Sequence, residues 1–176
     1  MKFTPGSQKK KKYPKINKIM EHKYRKGHFK GVLQVIEKLT DIVPSSKMYL
    51  GEKDFQQFKI IKDFIFLNKI NTKIINCKTI RDSSGLALSS RNQLLSKANK
   101  KKAVLMINFV KKIKKKKSKY KNILKDIKEN FKKNKIKYDY IENINLKTFK
   151  ITDKINNQSR LFFAFYLGKV RLIDNI

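Results

Sequence analysis

Met48-Tyr49-Leu50-Gly51-Glu52-Lys53-Asp54-Phe55-Gln56-Gln57 is the stretch on which the reading of this chain turns. A short apolar run stops at a glycine and charged residues follow. From Asp54 a helical pattern continues through Phe58, Ile61 and Ile65. The segment therefore reads as strand, tight turn, helix. Open α/β sheets bind ligands at such turns, beyond the carboxyl ends of their strands. Gly51 lets a ligand approach the backbone, Lys53 offers a point charge to phosphate, and Asp54 is suited to cap a helix whose first N–H groups favour anions. The same residues also have a plain reading as a turn, a surface lysine and an ordinary N-cap, so other parts of the chain must decide.

Upstream, Val32, Val35, Ile36, Leu39, Ile42 and Val43 recur at helical spacing, which predicts an amphipathic helix from His28 to near Pro44 whose apolar face meets a sheet. Residues 1 to 14 hold Pro5, Gly6, Lys9 to Lys12 and Pro14, a composition for a disordered or loop tail. Downstream, residues 68 to 71 break the helix before Lys73 to Cys77, a strand, and Ser83-Ser84-Gly85 supplies a turn. Alternating strands and helices imply an α/β fold with a parallel sheet. Beyond Asn92 the texture changes to two lysine-laden helices at about 96 to 115 and 119 to 134. Strands follow at Tyr138 to Leu146, Leu161 to Leu167 and Val170 to Ile173, the last two joined by Gly168-Lys169. The expected division is residues 1–92, then a small α+β domain over 93–176.

The chain's 45 basic and 13 acidic residues give a formal charge of +32, a field that attracts phosphates. Almost all of the excess is lysine, spread along the whole length, whereas readers of phosphate and base lean on arginine forks. The charge is thus read as compositional background. Nucleic-acid binding is the secondary reading, and Lys111 to Lys117 is taken as the charged outer face of a helix. One cysteine, Cys77, and two histidines, His22 and His28, exclude an internal disulfide and make no structural zinc set. No run approaches the roughly 18 to 20 apolar residues of a membrane span, and no apolar stretch follows the first lysines, so a cytoplasmic, non-membrane protein is expected.

Corroboration comes from Leu86-Ala87-Leu88-Ser89-Ser90-Arg91-Asn92, where two hydroxyls and an arginine in a loop give several donors for phosphate oxygens. Ser-Ser-Arg alone is a weak signal. Together with Arg25-x-Gly27-His28-Phe29-x-Gly31-Val32, the Gly51 to Gln57 run, Gly85 to Asn92 and the ending Leu167-Gly168-Lys169-x-Arg171-Leu172-Ile173-Asp174-Asn175, it occurs in the order and spacing of pantothenate synthetases. The chain resembles that family from about Phe3 to Asn175.

The resemblance implies a Rossmann-like nucleotidyltransferase domain followed by a lid, and a ligation in two steps. ATP adenylates the carboxylate of pantoate with loss of pyrophosphate, and the β-alanine amine then displaces AMP to give pantothenate. Lys53, Ser89, Ser90 and Arg91, with a magnesium ion, would stabilise charge moving onto pyrophosphate. By the same resemblance Gly51, Glu52, Lys53, Asp54 and Leu88 to Arg91 contact ATP and Ile80 lies by the adenine. Gln57 binds pantoate, Arg25 supports that pocket, no protein side chain holds a metal, and the family forms homodimers. His28 is read as holding the start of a helix. The Ser-Ser-Arg loop is similar to the mobile signature loop of class I aminoacyl-tRNA synthetases, so closure over the phosphates is expected.

The family opens with a strand and a His-x-Gly-His motif that nothing here matches. The expectation is therefore an incomplete nucleotide domain, a fragment with an exposed strand edge, poorly soluble or dependent on another chain, whose full activity needs the absent part in the same or another polypeptide, or else an inactive remnant.

Overall fold

Lys11 to Ile19 have no regular structure, yet they are pinned. The Lys12 amide donates to Asn68 Oδ1 at 2.7 Å and Asn68 Nδ2 donates back to the Lys12 carbonyl at 2.8 Å. Tyr13 donates to Glu37 Oε2 at 2.5 Å, its ring lies 5.7 Å from that of Phe64, and Lys11 pairs with Asp41. The computed structural model describes residues 11–115 and 120–176. Within the tail expected over residues 1–14, residues 11–14 are thus anchored coil, and the first ten lie outside the described residues.

The chain divides after Cys77 into two compact units. In the first, α1 (Met20–Tyr24) is a short helix that the sequence pattern does not announce. Helix α2 (His28–Ile42) starts at the expected histidine, after Gly27 in the left-handed region at φ +76°. It buries Phe29, Leu33 and Ile36 against Ile60, Ile61, Phe64 and Ile65 of α3 (Phe55–Leu67). The expected apolar face is only partly covered, because Val35, Leu39, Ile42 and Val43 are exposed. Strands β1 (Lys47–Gly51) and β2 (Lys73–Cys77) pair in parallel across α3, in register from Lys47 with Lys73 to Gly51 with Cys77. Met48, Leu50 and Ile74 turn one face of this sheet onto the α2–α3 core.

The second unit carries α4 (Lys97–Lys114) and α5 (Tyr120–Lys133) on an antiparallel sheet ordered β3 (Tyr138–Asn145), β4 (Ser159–Leu167), β5 (Val170–Asn175). Ser96 caps α4, its hydroxyl accepting from the Asn99 amide at 3.2 Å. Ala103, Ile107 and Val110 share a core with Phe131, Phe163 and Phe165. Gly168, at φ +61°, makes the β4–β5 turn. Residues 78–92, which sequence texture groups with the first part of the chain, pack in this second unit. Of the lysine run, Lys111 Nζ donates to the Gly85 carbonyl at 3.0 Å and Lys114 Nζ to the Ile176 carbonyl at 2.6 Å, while Lys112 and Lys115 face solvent. Lys116 and Lys117 lie outside the described residues. No helix among the described residues is long and apolar enough to cross a membrane.

Candidate functional site

Parallel pairing brings the carboxyl ends of β1 and β2 side by side, with Gly51 opposite Cys77. The chain leaves β1 through a 3-10 turn, Glu52–Asp54, and enters α3 at Phe55. Gly51 is exposed and extended, at φ −71°, and a Cβ added there would meet no atom within 4 Å. Neither backbone strain nor crowding requires a glycine at this position. Asp54 occupies the N-cap position of α3, yet its side chain makes no capping hydrogen bond, a departure from the expected cap. The 3-10 turn overwinds the helix entry and carries Asp54 at φ −95°, ψ 53° instead.

Lys53 and Gln57 are half-buried. Beside them Gln56, which the sequence reading passed over, is the buried member of the pair. Its Nε2 donates to the carbonyls of Ile19 at 3.1 Å and Asn17 at 3.4 Å, tying the segment before α1 to α3. Arg25 ends α1 and reaches buried Glu21 at 3.5 Å. His28 is the first residue of α2, its ring 5.1 Å from that of Phe29.

In the second unit, residues 80 to 92 form an arm. Arg81 bridges to Ala87, and the Leu88 amide donates to the Ile80 carbonyl at 2.9 Å, so Ile80 and Leu88 lie across from each other, both exposed. Asp82 organises the tip. Its Oδ1 accepts from the Ser84 amide at 3.0 Å, the Ser84 hydroxyl at 2.5 Å and the Leu86 amide at 3.1 Å, bonds that hold its carboxyl below the ordinary aspartate range. Gly85, at φ +89°, closes the turn; a Cβ there would sit 2.9 Å from Lys111 Nζ.

The arm runs into Ser89-Ser90-Arg91. Ser89 is the N-cap of a 3-10 helix, Ser90–Leu94, and accepts from the Arg91 amide at 3.3 Å. Arg91 Nη1 lies 3.4 Å from the Arg171 carbonyl, and Asn92 Nδ2 donates to the Ala87 carbonyl at 2.9 Å, closing the loop on itself. Ser90 is exposed, and Ser89 and Arg91 half-buried. The arm is bolted to β5 by Arg81, whose guanidinium forks onto Asp174 at 2.7 and 2.9 Å and also reaches the carbonyls of Gly85 and Asn175. Sequence reading missed Arg81; as an arginine in a chain that otherwise uses lysine, it carried the signal.

Gly51, Glu52, Lys53, Asp54, Gln57 and Arg25 thus belong to the first unit, and Ile80, Leu88, Ser89, Ser90 and Arg91 to the second. Among the described residues, no group of three or more His, Cys, Asp or Glu is placed to hold a metal ion.

A family model described as pantoate-beta-alanine ligase matches residues 2–176. The pantothenate synthetase of Caldicellulosiruptor bescii is 38% identical over 167 residues, covering 92% of this chain and 59% of that protein. The crystal structure of the pantothenate synthetase from Thermus thermophilus superposes with a TM-score of 0.84 at 25% identity, over 94% of this chain and 63% of that one. The Francisella tularensis pantoate-beta-alanine ligase, solved in complex with beta-gamma ATP and beta-alanine, gives a TM-score of 0.72 at 40% identity, over 93% of this chain and 56% of that one. The chain spans less than two thirds of the length of these relatives.

Proposed function

Because this chain belongs to the pantoate-beta-alanine ligase family, we propose that it serves the ATP-dependent joining of pantoate to β-alanine through a pantoyl adenylate. In this reading its units are the later part of a Rossmann-like nucleotide domain and a lid. The observation that carries it is Gly51. A glycine with an ordinary φ and open space where its side chain would be has no purpose in the fold, but it leaves the backbone bare at the carboxyl end of a parallel strand.

Around a magnesium-bound ATP, which brings its own metal as substrate, Lys53 supplies a point charge to the phosphates. Ser89, Ser90 and Arg91 supply hydroxyl and guanidinium donors. Glu52, Asp54 and Gly51 line the same nucleotide. Ile80 and Leu88, exposed and linked across the arm, offer apolar surface to the adenine. Gln57 holds pantoate through its amide, and Arg25, oriented by Glu21, supports that pocket.

Adenylation makes the pantoate carboxylate oxygen attack the α-phosphorus while the bond to pyrophosphate breaks. Lys53 and Arg91 favour the step because negative charge grows on the leaving group. In the second step the β-alanine amine attacks the acyl carbon and AMP leaves. Closure of the Ser89–Arg91 loop would exclude water from the acyl adenylate. Within the lysine run, Lys111 and Lys114 are engaged with backbone carbonyls, which takes two of its cations away from a nucleic-acid patch.

Calorimetric titration with a non-hydrolysable ATP analogue and magnesium tests the proposal. Lys53→Ala and Arg91→Ala should each weaken binding by tenfold or more, about 1.4 kcal/mol. Binding insensitive to both, together with salt-sensitive binding of a generic oligonucleotide, would hand the chain to the nucleic-acid reading. Complementation of a pantothenate auxotroph then asks whether the chain turns over unaided.

A further inference from the structure

Leu105 stands on the outer face of α4, 65% exposed, beside half-buried Val104, which packs on the second unit's core. Lys101, Lys100 and Lys97 share that face one and two turns earlier, at the spacing of residues stacked along a helix. These five residues and Ser84 line an open groove of about 570 Å³, a size within the range of small-molecule sites. Its wall is fixed in advance by the arm tip. The Ser84 amide and hydroxyl donate to Asp82 Oδ1 at 3.0 and 2.5 Å, and Asn108 Nδ2 of α4 donates to the Ser84 carbonyl at 3.4 Å. The groove lies wholly within the second unit, and none of its residues is among those given above to ATP or pantoate.

Lysine stems lie along apolar surface while their ammonium heads stay in water, so this groove joins an apolar floor to a positive rim. Among the described residues no carboxylate lines it. Asp82, near enough to Lys100 for that charge to help hold its carboxyl low, commits one oxygen to three donors of its own arm. We propose that the groove binds a small anionic amphiphile, its apolar chain on Val104 and Leu105 and its anionic end among Lys97, Lys100 and Lys101. The extent of the apolar surface selects a free small molecule over larger partners. Beyond Leu105 the same face continues as Asn108, Lys112 and Lys115, all polar and exposed, so the apolar contact is confined to one concavity. A stable protein interface needs about 800 Å² on each side. A membrane surface takes an apolar stripe that runs along the helix.

The test titrates the full chain with octanoate, acetate and 1-octanol and follows backbone amide chemical shifts. Octanoate should bind saturably, with shifts centred on Ser84 and on residues 97–105. Its affinity should exceed that of acetate, which lacks the chain, and of 1-octanol, which lacks the charge, by about tenfold or more. Leu105→Asn, and Lys97→Gln combined with Lys101→Gln, should each weaken octanoate by about fivefold. They should leave the melting temperature unchanged, because all three side chains are already exposed. Lys112→Gln combined with Lys115→Gln removes the same charge from the same helix outside the groove and should change affinity by less than about twofold. Equal binding of octanoate and acetate, equal losses in the two double variants, or shifts centred elsewhere would overturn the proposal and leave only the general attraction of a +32 chain for anions. Binding to phosphatidylglycerol vesicles that Leu105→Asn abolishes, with none to monomeric octanoate, would overturn it in favour of a membrane surface.

Discussion

Arg81 and Asp174, 93 residues apart, meet as a forked ion pair at 2.7 and 2.9 Å, with the carboxylate only 1% exposed. The arm that leads to Ser89-Ser90-Arg91 is therefore fastened to the last strand of the chain. A buried pair of this kind is not in itself a large source of stability, but removing one member strands the other charge away from water. Arg81→Ala should cost about 3 to 5 kcal/mol in urea unfolding. Arg81→Lys should recover only part of the loss, since an ammonium restores the charge without the fork.

Two glycines make opposite predictions. Gly85 sits at φ +89° with Lys111 Nζ 2.9 Å from where a Cβ would go, so Gly85→Ala should destabilise by about 1 to 3 kcal/mol and displace Lys111 from the Gly85 carbonyl. Gly51 has neither constraint. Gly51→Ala should leave unfolding within about 0.5 kcal/mol of the parent and reduce binding of the ATP analogue. Thermal melting and calorimetry on both variants separate a glycine needed by the fold from one needed by a ligand.

Asn92 closes the Ser-Ser-Arg loop through its bond to the Ala87 carbonyl. Asn92→Ala should lose about 1 kcal/mol and lower affinity for the analogue while Lys53 and Arg91 are intact. Asn92→Asp should not substitute, because a carboxylate cannot donate to a carbonyl. Hydrogen exchange at the Leu88 to Asn92 amides would report the loosening directly.

The regular elements were legible where periodicity was strong. Strand β2, the α4 and α5 helices and the three strands of the second unit fall where apolar spacing puts them. The α2 boundaries were legible too, but not the fate of its apolar arc, because spacing reveals which residues could be buried and not whether a neighbour is present to bury them. Helix α1 is too short for a period to register, and Lys12 and Tyr13 are held by partners 56 and 24 residues away that no local pattern announces. The Gly51 and Ser89 segments stood out because turn chemistry is local. The groups that brace them, Gln56 and Arg81, did so only through long-range contacts. Arginine was the overlooked clue. All five arginines of this lysine-rich chain have a named partner, Arg25 on Glu21, Arg81 on Asp174, Arg91 on the Arg171 carbonyl, Arg160 on Asn175 and Arg171 on Asp139.

Tyr120 gives the alkaline limb of stability a sign. Burial, with the nearby carboxylates of Glu142 and Asp153, raises its phenol above the ordinary 10.0, while the Asn143 amide, donating to Tyr120 Oη at 3.2 Å, pulls the other way. The folded state thus keeps a proton that the unfolded chain releases near pH 10, so the unfolded state binds fewer protons and stability falls as pH rises through the folded value. Tyr13, raised by its hydrogen bond to Glu37, acts in the same direction. Lys111 and Lys114, lowered chiefly by burial, act in the opposite one, because their unfolded counterparts hold protons longer. Tyr120→Phe should therefore flatten the decline of unfolding free energy above about pH 10, at the expense of the Asn143 bond at neutral pH. Lys111→Met should steepen the decline, since it removes a group that opposes it. Urea unfolding across roughly pH 9 to 11 on the two variants checks both slopes, and a Tyr120→Phe profile parallel to the parent would mean that the phenol stays accessible to solvent in the folded chain.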